Sequence, residues 1–247
     1  MKKFNLIQSI AFVGSSVATL LVAEEPKGWQ TTATVNAAVA KGNSDTLLMG
    51  AALKTLRKWD KNEVNLGADA TYGNNRSNGT GNQITTAQNF GALAQYNRLL
   101  TDRWYLSALV DGRTDRIAGI KHRVTLAPSA GYYVVKNEKI SLSFEAGPAL
   151  IFENLAGTGS TTYLSLRLAE NFRWKINEQA SLQQKLEYLP RVSSFEDYVA
   201  NFDLTLSTKI TEKLSANITF QDFYRSVPAI GRKENDLRLL AGLGYTF

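Results

Sequence analysis

Apolar and polar residues alternate along most of the chain. In residues 139–153, even positions from Ile140 to Phe152 are apolar, and the odd positions are mostly polar or small. Residues 197–209 and 213–225 repeat this alternation. Because successive side chains of a strand point to opposite faces, a period of two predicts strands with one apolar and one polar face.

The alternation recurs in an even number of segments. We predict strands at 29–41, 46–58, 62–74, 83–98, 103–115, 121–135, 139–153, 160–174, 180–191, 197–209, 213–225 and 235–247. These segments are about twice as long as the common strand of about five or six residues, and a tilted strand of about ten residues crosses a bilayer. The pattern therefore predicts an all-β fold: a closed, antiparallel transmembrane β-barrel of about 12 strands, of the outer-membrane type.

The connections between these segments are predicted to alternate in length. Short polar turns are KWDKN, LLTDR, KNEK, INEQ and ITEK, whereas the longer loops are NNRSNGTGNQ, TDRIAGI, NLAGTGS, VSSFED and SVPAIGRKE. Outer-membrane barrels have short periplasmic turns and longer external loops. The alternation thus predicts that both ends of the chain face the periplasm.

The two ends of the chain carry their own signals. Residues 1–23 join two lysines to a mostly apolar stretch that ends at Ala23, which predicts a secretory signal peptide and leaves 24–247 as the barrel. An N-terminal anchor helix is the alternative, but polar residues interrupt the stretch. At the other end, Leu243, Tyr245 and Phe247 are similar to the insertion signal that the outer-membrane assembly machinery reads.

Aromatic residues concentrate near the segment ends. This set is Trp29, Trp59, Trp104, Trp174, Tyr163, Tyr188, Tyr198, Tyr224 and Tyr245. Amphipathic rings favour the level of the lipid head groups, so we predict aromatic girdles, with ordinary core aromatics as the alternative. Glu170 and Gln184 fall in phase with apolar neighbours, which predicts a local bulge or a position near the membrane interface.

The amino-acid composition limits which partners and cofactors the chain is expected to bind. The 247 residues hold 28 basic and 22 acidic side chains, and removing the signal peptide with its two lysines lowers the net charge from +6 to +4. The basic residues are scattered, so no nucleic-acid partner is predicted. With one histidine and no cysteine, neither a zinc nor a copper site is favoured, and no metal or other cofactor is predicted.

The polar face of the strands predicts a charged lumen. Its predicted members are Lys54, Asp69, Asp111, Arg113, Arg123, Glu145, Arg167, Arg173, Lys175, Lys185, Glu187, Arg191, Asp203, Lys209 and Arg238. The candidates for lining a channel are Asp111, Arg113, Arg123, Glu145, Arg167, Arg173, Lys185, Asp203 and Arg238. Basic residues predominate, which predicts a narrow, general or osmotically regulated channel with a mild anion preference. Cross-strand ion pairs that fill the lumen are the alternative, and barrel size does not decide between them.

Two other functions compete with a channel. A predicted basic outer rim would let a non-conducting structural protein contact lipopolysaccharide, and its members are Arg116, Lys121, Arg123, Arg225, Arg232 and Lys233. A lipid-hydrolysing barrel would need a base beside a nucleophilic serine. His122, the only histidine, lacks the His-x-Ser arrangement of outer-membrane phospholipase because residue 124 is Val, so we predict no enzyme.

Three short motifs carry a resemblance to a known family. They are AVAKGNSDTLLMG at 38–50, FEAGPALIF at 144–152 and the closing AGLGYTF. In this order they resemble a bacterial family of unknown function described as salt-induced outer-membrane proteins. The resemblance implies an outer-membrane β-barrel and brings no catalytic or ligand residues. Gly42 and Asn43 in the first motif are predicted to form a tight turn.

Overall fold

The computed structural model describes residues 28–40, 44–77 and 83–247. Within these ranges the chain forms twelve strands. They are β1 (Trp29–Ala40), β2 (Ser44–Trp59), β3 (Asn62–Ser77), β4 (Gln83–Leu99), β5 (Trp104–Asp115), β6 (Ile120–Lys136), β7 (Ile140–Leu155), β8 (Gly159–Lys175), β9 (Ala180–Arg191), β10 (Ser194–Lys209), β11 (Leu214–Arg225) and β12 (Asn235–Thr246). In the part of the chain so described, no helix has the length and apolarity to cross a membrane. The predicted signal peptide and the predicted turn at Gly42 and Asn43 lie outside the described residues.

The sheet closes on itself. Every strand pairs antiparallel with its neighbours in sequence, and β1 pairs with β12. Val35 faces Leu243 across this closing pair, and the Phe247 amide donates to the Thr31 carbonyl at 3.0 Å. A closed ladder leaves no edge with unpaired backbone groups, which is the condition for a sheet in lipid. The predicted all-β, twelve-stranded closed barrel is confirmed.

The two ends of the barrel differ less than predicted. We call the end where β1 begins and β12 finishes the proximal end, and the other the distal end. At the distal end the strands continue through most of the predicted loops, leaving residues 116–119 between β5 and β6, 156–158 between β7 and β8 and 192–193 between β9 and β10. The predicted loop at 74–83 lies partly outside the described residues. Gly157 and Gly159 adopt positive φ angles of 88° and 82°, so a tight turn lets pairing continue to the mouth. Among the described connections, 226–234 alone has the predicted length, and the predicted alternation of long and short connections is wrong.

The outer face is apolar and carries aromatic residues near both ends. Trp29, Trp59, Trp104, Trp174 and Tyr245 are exposed at the proximal end. Near the distal end, the rings of Tyr188, Tyr198 and Tyr224 lie in a row, with successive centroids 5.2 and 5.5 Å apart.

Tyr163 does not belong to these girdles. It occupies an odd position of β8, as do the inward-facing Ser165 and Arg167, and the Arg191 guanidinium lies over its ring at 3.8 Å. The prediction of Tyr163 as a girdle residue is therefore wrong, because its side chain points into the barrel.

Glu170 and Gln184 form a polar pair on the apolar outer face. The Gln184 amide donates to the Glu170 carboxylate at 2.9 Å. The pairing of β8 with β9 runs without interruption past both residues, so the predicted bulge is wrong. This hydrogen bond offsets part of the hydration free energy that these polar groups lose on an apolar surface.

Candidate functional site in the barrel lumen

The predicted lumen charges all lie on the inward face. Asp69, Arg123, Glu145, Arg167, Glu187, Asp203 and Arg238 are buried inside the barrel, and Lys54, Asp111, Arg113, Arg173 and Lys185 line its cavities. The register also places Lys175 opposite Ser181 and Lys209 opposite Ser215, two buried inward-facing serines at the proximal end. Alternation along each strand is thus sufficient to assign these side chains to the lumen.

A charged network fills the middle of the lumen around Arg167. This side chain is 1% exposed and donates to Glu145 at 2.7 Å and to Glu187 at 2.6 Å. Tyr105 on β5 and Gln95 on β4 also donate to Glu145, at 2.9 and 3.3 Å. Charge-assisted hydrogen bonds of this kind are among the strongest that side chains make, so the network ties β4, β5, β7, β8 and β9 together across the interior.

Three further contacts involve charged residues inside the barrel. Arg113 pairs with Asp111 on the same strand at 3.0 Å, and Gln221 donates to Asp203 at 2.9 Å. Arg238, fully buried on β12, approaches Asp115 of β5 at 4.0 Å. The contact between Arg238 and Asp115 joins strands on opposite sides of the barrel. Charged residues therefore interact across the lumen as well as between neighbouring strands.

A second network closes the distal half of the lumen around Glu153. Arg225 binds this carboxylate with two nitrogens, at 2.7 and 3.0 Å, and Arg123 donates to it at 2.9 Å. Arg225 also donates to the Val227 carbonyl at 2.6 Å. Both arginines are buried, so the prediction that they belong to an exposed rim is wrong. Glu153 was missed, although it shares the odd face of β7 with Glu145.

Apolar residues pack beside the Glu153 network. The cluster consists of Leu109, Ile120, Ala127, Ala149, Ile151, Leu155, Leu189, Val199, Phe223 and Ala229. Ala229 belongs to residues 226–234, which we call the β11–β12 strap, and it is only 2% exposed. Asp115 accepts from the amides of Ile117 and Ala118 at 2.8 Å and so fixes the turn that the strap contacts. We call the Glu153 network and this apolar cluster the distal closure.

A cavity occupies the proximal half of the lumen. It measures about 230 Å³ and is lined by Lys54 of β2, Arg173 of β8 and Lys185 of β9. At its mouth Lys58 pairs with Glu63 at 3.0 Å. A second cavity of only about 30 Å³ lies deeper in the barrel. The lumen therefore narrows from a proximal vestibule, by which we mean the larger cavity, towards the distal closure.

The smaller cavity adjoins the vestibule. Leu93, Lys185 and Asp203 line both spaces, while Asp111, Arg113 and Arg123 line only the smaller one. The channel-lining candidates are thus divided between two levels of the barrel. Lys185 and Asp203 mark the level at which a solute would pass from one space to the other.

Comparison with known proteins places the chain in a family. Residues 33–247 match the family described as a protein of unknown function, DUF481. The chain belongs to this family. No curated protein matches the sequence. The predicted membership of a β-barrel family of unknown function is confirmed, whereas its description as salt-induced stays a prediction.

Two solved structures show which fold the DUF481 chain shares. The NanC porin superposes with a TM-score of 0.54 at 9% sequence identity, over 87% of this chain and 98% of that one. An outer membrane channel from Pseudomonas putida F1 superposes with a TM-score of 0.52 at 14% identity, over 90% and 96%. At such low identities the likeness establishes a common fold, that of outer-membrane β-barrels.

The distal mouth of the DUF481 barrel carries the remaining rim candidates. Arg116, Lys121, Arg232 and Lys233 are exposed there, and Arg116 donates to Gln88 at 3.2 Å. His122 is exposed beside Lys121. The basic rim is thus formed by four of its six predicted members.

The last strand of the DUF481 barrel presents the predicted assembly residues outward. Leu243, Tyr245 and Phe247 are all exposed on the outer face, and the rings of Tyr245 and Phe247 meet edge to face at 5.2 Å. These side chains are accessible for recognition. Their role in assembly stays a prediction.

Proposed function

We propose that this DUF481 protein is an outer-membrane barrel that forms a narrow channel for small solutes, with a preference for anions. Its predicted signal peptide would direct export, the assembly machinery would insert it, and its proximal end would face the periplasm. The apolar outer face with aromatic residues near both ends supports residence in a bilayer. The channel fold of the two solved relatives is consistent with this proposal.

The charge of the vestibule is the main observation that supports a channel for anions. Lys54, Arg173 and Lys185 bring positive charge from three strands to one cavity of about 230 Å³. A narrow passage with low-dielectric walls focuses the field of such charges and raises the local concentration of anions. The same charges would oppose the entry of cations.

A non-conducting envelope protein is the second candidate. The distal closure favours it, because a buried carboxylate held by two arginines leaves little room for a solute. In that case the exposed rim residues Arg116, Lys121 and Arg232 would act by contacting the phosphates of lipopolysaccharide.

Single-channel recording in planar bilayers decides between the two. For a channel we expect small, discrete conductance steps, with a reversal potential shifted towards anions in a KCl gradient. Heat-unfolded protein in the same detergent is the control for adventitious leaks. Absence of resolvable steps over a range of voltages and salt concentrations would contradict the channel and leave the structural role.

A further inference from the structure

We propose that the vestibule is a binding site for a small hydrophilic oxyanion with two or more negative charges. The site is formed by Arg173 and Lys185, with Lys54 on the opposite wall. The inference deepens the proposed function, since it assigns a class of solute to the channel. It concerns binding, however, and can be tested separately from conduction.

The two principal cations are neighbours on one wall of the vestibule. Asn171 of β8 pairs with Lys185 of β9, which places Arg173 one inward position away along the same wall. Among the described residues, neither Arg173 nor Lys185 has an ion pair within 4.0 Å, although both line a cavity. Like charges in a confined, poorly solvated space repel each other, and a bound anion would relieve that repulsion.

The acidic residues of the vestibule are already engaged elsewhere. Glu63 binds Lys58 at 3.0 Å and accepts from Asn65 at 2.9 Å. Glu145 binds Arg167 at 2.7 Å within the central network. These contacts compensate the two carboxylates, so the positive charge of Arg173 and Lys185 is left available to a solute.

Asp203 is the third carboxylate that lines the vestibule. It accepts from Gln221 at 2.9 Å. Its register partner on β9 is Lys185, so it offsets part of the charge at the deep end of the cavity. A bound anion would therefore sit nearer to Arg173 and the mouth than to Asp203.

Size and lining define the class of ligand more closely. A cavity of about 230 Å³ is far larger than the space that a single water molecule needs, so it can hold a small organic or inorganic anion. Amide groups of Asn171 and Gln183 line the same space and suit hydroxyl and carboxylate oxygens. Small di- and tricarboxylates or short phosphates fit these dimensions and charges.

The test is titration calorimetry of the full-length barrel in a neutral detergent at low ionic strength. The probes are citrate and pyrophosphate, with uncharged sorbitol as the negative control. We expect at least one of the two anions to bind, and added NaCl to weaken that binding because it screens the charges. Binding of citrate alone assigns a carboxylate ligand, and binding of pyrophosphate alone assigns a phosphate.

Variants locate the binding within the barrel. Arg173→Gln and Lys185→Gln should each weaken anion binding, and together they should weaken it at least tenfold. Lys139→Gln, in an exposed proximal turn, is the matched control and should bind as the parent does. Heat-modifiable migration on gels shows which variants are folded, and if the double variant misfolds the two single variants decide.

Two results would overturn the site. One is a folded barrel that binds neither anion, and the other is binding that survives the loss of both Arg173 and Lys185. A protein that binds anions without conducting would instead contradict the proposed channel and leave the site intact.

Discussion

The two halves of the lumen are built from the same twelve strands yet use charge in opposite ways. In the proximal half, Arg173 and Lys185 line an open cavity without ion-pair partners among the described residues. In the distal half, Arg123 and Arg225 converge on Glu153, and apolar side chains fill the remaining space. In this barrel, paired charges together with apolar side chains fill the distal half, whereas the proximal half stays open.

The ion pairs of the two halves also differ in exposure. Side chains of Lys58 and Glu63 at the vestibule mouth are 35% and 18% exposed, whereas those of Arg225 and Glu153 are 6% and 1% exposed. Exposed pairs typically contribute less than about 1 kcal/mol, because water and salt screen them. Removing one partner of a buried pair costs about 3–5 kcal/mol, since an uncompensated charge stays buried.

Glu153→Gln gives the largest expected effect. It leaves Arg123 and Arg225 without a counter-charge inside the barrel, so we expect a loss of about 3–5 kcal/mol in the free energy of unfolding. Urea titration in detergent, followed by heat-modifiable gel migration, measures this loss.

Glu63→Gln is the matched proximal variant. Its pair with Lys58 is partly exposed, so the expected loss is below about 1 kcal/mol. Equal losses in the two variants would show that burial does not distinguish the two halves of the lumen.

Ala229→Asp should open the distal half without removing an ion pair. Ala229 is 2% exposed within the distal closure, so a carboxylate there has to pull the β11–β12 strap out of the lumen or stay buried at high cost. We expect a several-fold rise in single-channel conductance.

The neighbouring Ile230 provides the control, because its side chain is 72% exposed. Ile230→Asp should leave the conductance unchanged. If Ala229→Asp conducts no better than Ile230→Asp, the strap does not limit passage through the barrel.

The sequence predicted the strands far better than it predicted the distal closure. A period of two locates a strand and assigns each side chain to one face, which is why the lumen face of Arg167 and Arg238 was correct. It contains no information on which strand lies opposite. Arg225 on β11 and Glu153 on β7 are 72 positions apart and meet only because the barrel closes, so Arg225 was assigned to the rim.

Inward apolar residues were the second source of error. Ile151 lies on the polar face of β7 and breaks the alternation, yet it is buried in the distal cluster. A single apolar residue on a polar face carries no signal by itself. Only its membership of one cluster with Leu155, Phe223 and Ala229 shows that such residues form a closure.

Deleting Phe247 should have a smaller effect on the finished barrel than on its assembly. Its side chain is 69% exposed, and its amide makes one of the many backbone hydrogen bonds that close the sheet. We expect the deletion to lower outer-membrane levels and induce envelope stress, while protein that does assemble keeps its urea midpoint. Normal levels on overexpression would contradict the predicted insertion signal.

His122→Ala is expected to have the smallest effect of all. His122 is exposed at the distal mouth beside Lys121, and it lacks the His-x-Ser arrangement because residue 124 is Val. The next residue, Arg123, points into the lumen and donates to Glu153 at 2.9 Å. That carboxylate is therefore already bound and is not a partner that would orient His122. Phospholipid hydrolysis by purified protein in mixed micelles should therefore be the same for the variant and the parent. Hydrolysis that is present in the parent and lost in His122→Ala would establish an enzyme at the distal mouth. The distal half would then have a catalytic function and could not be described as a closure alone.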